Sequence, residues 1–156
     1  MFTAYNPYDI IKYKIRNGFL RYIGGGSSRE VFDLNNGYVI KIAKNEAGIA
    51  QNKAEYKISQ YDGDYIFARV IQSFNNYESI IMQKAKPIKS IYYVYDYFGV
   101  ENKKDFNRCY DIRRIKNEYN LLLGDLNRKS SWGIIDGRVV IIDYGFTRKV
   151  KREYYD

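Results

Sequence analysis

The sequence contains no histidine among its 156 residues. Catalysis by Ser-His or Cys-His pairs, zinc bound by histidine, and an imidazole general base are therefore excluded. Any chemistry must use Asp, Glu, Lys, Ser or Tyr side chains, together with an ion that prefers oxygen ligands. This absence is the strongest constraint that composition places on function.

The sequence is also poor in cysteine and in long apolar segments. The single cysteine, Cys109, excludes an internal disulfide and a cluster of thiolate ligands. No stretch resembles a signal peptide or reaches the length of a membrane span. We therefore expect a cytoplasmic protein without a membrane partner, built as one domain or as two small lobes that share an interface.

Basic residues and tyrosine are abundant. The 26 Lys and Arg residues outnumber the 18 Asp and Glu residues, and the resulting charge of +8 favours an anionic partner. The 18 tyrosines either reflect the base composition of the gene or form a surface that stacks on bases or binds a protein. Because the basic residues are spread along the chain, charge does not distinguish a nucleotide from nucleic acid or an acidic protein.

Two aspartates flank a predicted β-hairpin. The run WGIIDGRVVII lies between Asp125 and Asp143, and Asp136-Gly137 within it is typical of a two-residue hairpin turn. A hairpin of this length returns Asp143 to the end at which Asp125 lies. Two carboxylates brought together in this way indicate either a cation site or a costly pair of like charges.

A glycine-rich turn and a strand lysine form a second pattern. The run GGGSS at residues 24–28 precedes a predicted hairpin with its turn at residues 35–37, NNG, and the second strand of that hairpin carries Lys41. Glycines let backbone N–H groups approach an anion closely. The run is therefore either a flexible turn or a phosphate-binding loop.

The remaining segments predict a change of character near Pro87. Helices are predicted over 8–17 and over 46–60, and strands over 65–71 and 79–85, which gives about five strands in residues 1–86. After Pro87 we predict helices over 89–98 and 103–121, with Gly124 as the residue that stops the second. Residues 1–86 and 87–156 are therefore expected to form two lobes.

The order of these motifs resembles that of the protein-kinase-like fold, in a minimal form of bacterial or phage type. Residues 24–31, GGGSSREV, are similar to the glycine-rich loop G-x-G-x-x-G-x-V, with Arg29 in place of the third glycine. Residues 38–41, YVIK, are similar to the V-A-I-K strand, and residues 143–145, DYG, to D-F-G. Asp125-Leu126 resembles the Asp-Leu of the catalytic loop. The colinear order over residues 23–145 carries the resemblance.

The resemblance implies both a fold and an activity. The expected fold is α+β and two-lobed, with an antiparallel sheet of about five strands and one helix in the N-lobe. The C-lobe is expected to be reduced and mainly helical, with a catalytic-loop hairpin. The implied activity is transfer of a phosphoryl group from ATP with Mg²⁺, to a protein Ser or Thr, to the chain itself or to a small molecule.

The resemblance also implies roles for particular residues. Lys41 would contact the α/β-phosphates and pair with Glu55, or alternatively with Glu46. Asp143 would bind magnesium, and Asp125 would orient or deprotonate the acceptor hydroxyl. The remaining nucleotide contacts would come from the glycine-rich loop and from the connection between the lobes: Gly24, Gly25, Gly26, Ser27, Ser28, Gln83 and Lys84.

The sequence departs from the family pattern at the catalytic loop and after it. Leu123-Gly124 stand where His-Arg is expected, and no activation segment ending in A-P-E follows Thr147. The second metal ligand, Asn in the family, is replaced by Ser130 or Ser131 according to the alignment, and Asn127 is an alternative substitute.

Three functions remain open at this point. The first is a minimal phosphotransferase, which is favoured because the lysine, glutamate and both aspartates occur in the family order. The second is a pseudokinase that senses a nucleotide or binds and inhibits a protein partner. The third is a basic, tyrosine-rich module that binds nucleic acid.

Overall fold

The computed structural model describes residues 6–156, and over this range the chain forms a five-stranded antiparallel sheet, a smaller three-stranded sheet and a series of short helices. The larger sheet has the order β1-β2-β3-β5-β4. Its strands are β1 (Tyr22–Gly25), β2 (Arg29–Asp33), β3 (Tyr38–Ala43), β4 (Val70–Phe74) and β5 (Ser79–Gln83). The predicted α+β class and the predicted five-stranded sheet are confirmed.

The alternation of side chains along β3 decides which residues face the interior. Ile40 is opposite Ile81 on β5, and both join an apolar cluster with Tyr8 on one face of the sheet. Helix α1 (Pro7–Arg16) covers this face. Val39 and Lys41 point to the other face, because neighbouring residues of a strand project to opposite sides. Helix α2 (Glu46–Tyr61) packs there.

The tight turns of this sheet use residues that tolerate a left-handed backbone. Asn35 and Gly37 have φ angles of 61° and 88° in the turn between β2 and β3. Asn75 and Asn76 have φ angles of 48° and 57° in the turn between β4 and β5. Asn and Gly adopt these angles at low cost, so the turn predicted at residues 35–37 forms where the sequence indicates, and the turn between β4 and β5 is built in the same way.

The second sheet and the other helices follow Gln83. The sheet contains β6 (Lys86–Pro87), β7 (Trp132–Ile135) and β8 (Arg138–Ile141). The helices are α3 (Ile91–Tyr97), α4 (Lys103–Arg108), α5 (Tyr110–Tyr119), α6 (Leu123–Leu126) and α7 (Arg148–Tyr154). The predicted hairpin between β7 and β8 turns at Asp136 and Gly137, whose φ angles are 51° and 76°. In the described range no helix combines the length and apolar character that a membrane crossing requires.

The single helix predicted over 103–121 was wrong, because the chain breaks at Cys109, which has an extended backbone with ψ of 140°. Phe106 and Ile115 are both fully buried. Nine residues apart on one straight helix, they would lie on opposite faces at about 100° per residue. The break turns α5 relative to α4, so that both side chains reach the same core.

Other boundaries also differ from the prediction, and the strand predicted over 79–85 ends at Gln83. Helix α5 ends at Asn120, which is left-handed with φ of 55°, and Gly124 lies inside α6 instead of stopping a helix. The strand predicted over 65–71 begins only at Val70. The residues before it pair with the other sheet, since the Ile141 N–H donates to the Ile66 carbonyl at 2.8 Å and the Ala68 N–H to the Ile141 carbonyl at 2.9 Å.

Candidate functional site

Lys41 and Glu55 form a buried ion pair between β3 and α2. The Lys41 Nζ donates to the two carboxylate oxygens of Glu55 at 2.9 and 3.1 Å, and Glu55 is fully buried. Helix α2 is fixed at its start by Asn45, whose side chain accepts from the Gly48 N–H at 3.0 Å. Of the two glutamates considered from the sequence, the structure pairs Glu55 with Lys41, while Glu46 is exposed at the first turn.

Glu55 also receives the backbone of the D-Y-G segment. The N–H groups of Tyr144 and Gly145 donate to Glu55 Oε2 at 2.8 and 3.1 Å. Lys41 reaches the same segment, because its Nζ donates to the Ile142 carbonyl at 2.6 Å. The lysine, the glutamate and the chain next to Asp143 therefore form one hydrogen-bonded unit.

A second cation, Arg29, completes this unit. Its Nη1 donates to Glu55 Oε1 at 2.6 Å and to the Asn52 side-chain oxygen at 3.1 Å. Its Nη2 donates to Glu55 Oε2 at 3.3 Å and to Asp143 Oδ1 at 3.0 Å. From the sequence, Arg29 was noted only as the residue that replaces the third glycine of the loop. No sequence pattern predicted these contacts.

The two cations determine the protonation of Glu55. Burial alone would raise the pKa of Glu55, but Arg29 and Lys41 outweigh burial and lower the pKa to about 2. Burial lowers the pKa of Lys41, although Glu55 and Asp143 oppose that shift. Glu55 is therefore ionised at neutral pH and stays bound to both cations.

A cleft of about 590 Å³ opens beside this unit, and most of the residues predicted from the sequence line it. Residues 24–28 together with Gln83 and Lys84 form one part of its wall. Lys41, Asp125, Asp143, Ser130 and Ser131 also line it. Val31, Val39, Met82 and Ile142 supply an apolar lining. Polar groups at one part of an apolar cleft are typical of a small-molecule site.

Gln83 and Lys84, in the predicted connection between the lobes, form hydrogen bonds within the protein. The Gln83 N–H donates to the Arg69 carbonyl and the Lys84 N–H to the Gly37 carbonyl, both at 2.9 Å. The Lys84 side chain bonds to Asp33 at 2.6 Å. Lys84 thus lines the cleft while its charge is paired with an acid of β2.

Asp125 and Asp143 meet the cleft in different environments. Burial raises the pKa of Asp125, Arg128 at 3.5 Å opposes this, and Asp143 adds to it. The side chain of Asp143 is 53% exposed and holds Arg29. A carboxylate with a raised pKa is the better proton acceptor, and an exposed one is the better ion ligand.

The structure does not bring Asn127 to the cleft. Its amide nitrogen donates to the Leu123 carbonyl at 2.7 Å and to the Asn107 side chain at 2.9 Å. Its side-chain oxygen accepts from the Tyr95 hydroxyl at 2.7 Å. These three bonds hold the Asn127 side chain on α3, α4 and α6, and Asn127 does not line the cleft, so the predicted use of Asn127 as a substitute metal ligand has no geometric support.

The acids and hydroxyls of the cleft fit magnesium only as a sparse ligand set. In residues 6–156 there is no cluster of three or more acidic or thiol side chains suited to a metal. Asp143 offers one exposed carboxylate, and Ser130 and Ser131 offer hydroxyls on the same wall. Magnesium is often held by one or two carboxylates with phosphate oxygens and water, so this set fits an ion that arrives with a nucleotide.

Tyr155 closes one side of the cleft from the end of α7. Its hydroxyl forms a hydrogen bond with Ser28 Oγ and lies 3.5 Å from Gln51 Nε2 on α2. Its ring packs edge to face on Phe146, with ring centres 5.1 Å apart. Burial would raise the pKa of Tyr155, but hydrogen bonds with Ser28, Ser27 and Gln51 lower it. Nothing in the sequence predicted this contact.

The five-stranded antiparallel sheet and the helices packed against it match a protein-kinase-like fold. The solved structure of the gentamicin complex of the aminoglycoside phosphotransferase APH(2")-IIa is similar, with a TM-score of 0.52 at 15% sequence identity. The similarity covers 93% of this chain and 71% of that one.

A streptomycin–ATP ternary complex of the same enzyme has a TM-score of 0.49 at 15% identity and covers 92% of this chain and 72% of the other. No protein-family model and no curated protein matches the sequence. At this level of identity the comparison shows the fold alone.

Proposed function

We propose that this chain is a minimal phosphotransferase that uses ATP and magnesium, with residues 1–86 and 87–156 as its two lobes. One observation carries the proposal: Glu55 joins Lys41 to the backbone of Tyr144 and Gly145, beside a cleft that Asp125 and Asp143 also line. A buried lysine fixed by a glutamate, beside one exposed acid and one more buried acid, is suited to binding phosphates and moving one proton.

The residues of the chain divide this work among them. Lys41 supplies a positive charge at the phosphate end, and the glycine-rich backbone of residues 24–28 lets phosphate oxygens approach closely. Asp125 accepts the proton of the acceptor hydroxyl as the oxygen bonds to the γ-phosphorus and ADP leaves. Magnesium, when bound beside Asp143, supplies positive charge that offsets the charge of the phosphates.

The acceptor is inferred from the charges of the cleft. Both acids that line it are already paired with arginines, Asp143 with Arg29 at 3.0 Å and Asp125 with Arg128 at 3.5 Å. A polycation such as an aminoglycoside needs unpaired acidic groups to replace its hydration. We therefore infer a neutral or anionic acceptor that carries a hydroxyl, on a protein partner, on the chain itself or on a small molecule.

A second candidate function is that of a pseudokinase that binds a nucleotide without transferring phosphate. The orientation of Asn127 favours it, because no carboxamide then stands beside Asp143 as a second metal ligand. Such a protein would keep the cleft and the Lys41–Glu55 pair but would present its nucleotide-bound surface to a protein partner.

Thermal unfolding with and without ATP and magnesium tests nucleotide binding. ATP at about 100 times its dissociation constant should add roughly 2.7 kcal/mol to the free energy of unfolding. Asp143→Ala should reduce the part of this gain that depends on magnesium, whereas Asp9→Asn, a change on the exposed face of α1, should not. Absence of any gain with ATP would remove both candidate functions.

Incubation with ATP labelled at the γ-phosphate then separates the two candidates. Transfer of the label to the chain or to an added acceptor, lost in Asp125→Asn, supports the phosphotransferase. Binding of ATP with no transfer and no hydrolysis supports the pseudokinase. The cytoplasmic location and the bacterial or phage origin expected from the sequence stay predictions.

A further inference from the structure

Arg29 stands at the position where protein-kinase-like sequences have the third glycine of the glycine-rich loop. Its guanidinium forms an ion pair with Asp143. The guanidinium side chain is only 8% exposed and lies between Glu55 and Asp143. Its four hydrogen bonds, at 2.6 to 3.3 Å, fix the guanidinium on both carboxylates and on Asn52. A bidentate guanidinium–carboxylate pair of this kind is rigid and permanently charged.

Arg29 changes the net charge of the group formed by Lys41, Glu55 and Asp143 from −1 to zero. Lys41 and Glu55 cancel each other, so a glycine at position 29 would leave Asp143 as an uncompensated negative charge where phosphates must bind. A polyphosphate would then be repelled until a divalent cation reached Asp143. Arg29 contributes one fixed positive charge, and the four side chains together become neutral before any ion binds.

The second acid of the cleft is compensated in a similar way. Asp125 lies 3.5 Å from the guanidinium of Arg128, which is mostly exposed and therefore screens it less firmly than Arg29 screens Asp143. Neither carboxylate at the phosphate end then presents an unbalanced charge to a nucleotide. Lys41 and residues 24–28 line the same cleft.

We propose that Arg29 replaces part of the charge that magnesium supplies, so that this cleft binds a nucleoside triphosphate without a divalent metal. The inference rests on the proposed nucleotide cleft, but it does not require phosphoryl transfer. It also gives a reason for the departure at position 29. A side chain that would obstruct a glycine loop here points inward, where it compensates Asp143.

Isothermal titration calorimetry with ATP, once in EDTA and once in magnesium, tests the proposal. The wild-type dissociation constant in EDTA should lie within about threefold of the value in magnesium. In Arg29→Gln the constant in EDTA should rise at least tenfold, and magnesium should restore most of the loss. The matched control is Arg113→Gln, which removes an exposed arginine on α5 and should change neither constant.

A second variant keeps the test decisive if Arg29→Gln fails to fold. The double variant Arg29→Gln with Asp143→Asn removes one positive and one negative charge, and it should bind ATP in EDTA nearly as well as wild type. Wild type that binds ATP in magnesium but more than tenfold more weakly in EDTA would overturn the proposal and leave the nucleotide cleft intact. The same holds if Arg29→Gln keeps its affinity in EDTA. Failure of ATP to bind under both conditions removes the proposed function and this inference together.

Discussion

Gly145 lies directly against the backbone of Gln51, so that a Cβ atom at position 145 would stand 3.0 Å from the Gln51 Cα and nearer still to its carbonyl oxygen. Gly48 has the same relation to the Ser28 carbonyl at the start of α2. Helix α2 therefore touches the glycine-rich loop at one glycine and the D-Y-G segment at the other. Both approaches set the position of Glu55.

We predict that Gly145→Ala displaces α2 and weakens the Lys41–Glu55 unit. The extra methyl group has no space against Gln51, and overpacking of this kind costs about 1–3 kcal/mol in the free energy of unfolding. Denaturant unfolding measures the loss. Gly124→Ala is the control, because nothing lies within 4 Å of a Cβ there and the residue is in a helix. Equal stability of the two variants would contradict the close approach at Gly145.

Glu55→Gln should be among the most damaging single substitutions. It removes the negative charge between Arg29 and Lys41, which leaves buried Lys41 without a carboxylate partner and Arg29 with Asp143 alone. Breaking a buried ion pair in this way costs about 3–5 kcal/mol. Glu46→Gln on the same helix changes an exposed carboxylate and should stay within about 0.5 kcal/mol of wild type. The reverse ranking in urea unfolding would refute the assignment of Glu55.

The pH dependence of stability should carry the signature of Glu55. Its folded-state pKa is about 2, below the ordinary value of 4.5, so the stabilisation is complete above pH 4.5 and is lost as the pH falls towards 2. The difference corresponds to about 3 kcal/mol at neutral pH. Unfolding free energies measured from pH 6 to pH 2 should show this decline in wild type and a flatter curve in Glu55→Gln. Parallel curves would mean that Glu55 does not titrate as stated.

Asn127→Ala should affect stability and leave nucleotide affinity unchanged. The variant loses hydrogen bonds to Tyr95, Asn107 and Leu123, each worth about 0.5–1.5 kcal/mol. Calorimetric titration with ATP and magnesium should give the wild-type dissociation constant. A tenfold weaker constant in a variant that remains folded would restore Asn127 to the metal site.

Much of the fold could be predicted because its turns and motifs are local. Asn-Gly and Asp-Gly pairs identify the turns at 35–37 and 136–137, since these residues accept a left-handed backbone whatever surrounds them. The break at Cys109 could not be predicted from the propensities of its neighbours. The local sequence is typical of a single helix. The break arises from tertiary packing, because Phe106 and Ile115 are both buried in one core.

In the candidate site, too, local motifs could be predicted and long-range contacts could not. Lys41, Asp125 and Asp143 stand in motifs with fixed local spacing, and the structure brings them to one cleft. Arg29 is separated from Glu55 by 26 residues and from Asp143 by 114, so its role depends on contacts that no local pattern contains. Tyr155 and Ser28 are 127 residues apart in the sequence, so their contact could not be predicted for the same reason.

The pairing of Ile141 with Ile66 and Ala68 restricts how the cleft can open. The chain connects the two sheets through residues 84–85, and this pairing joins them a second time. The bonds from Lys41 to the Ile142 carbonyl and from the Tyr144 and Gly145 N–H groups to Glu55 connect the same two parts of the chain beside the cleft. Helix α7 is bonded to Asn120 at its first turn and also packs against α2. Because Tyr155 bonds to Ser28, the distance between these two side chains would report any displacement of α7 from the glycine-rich loop.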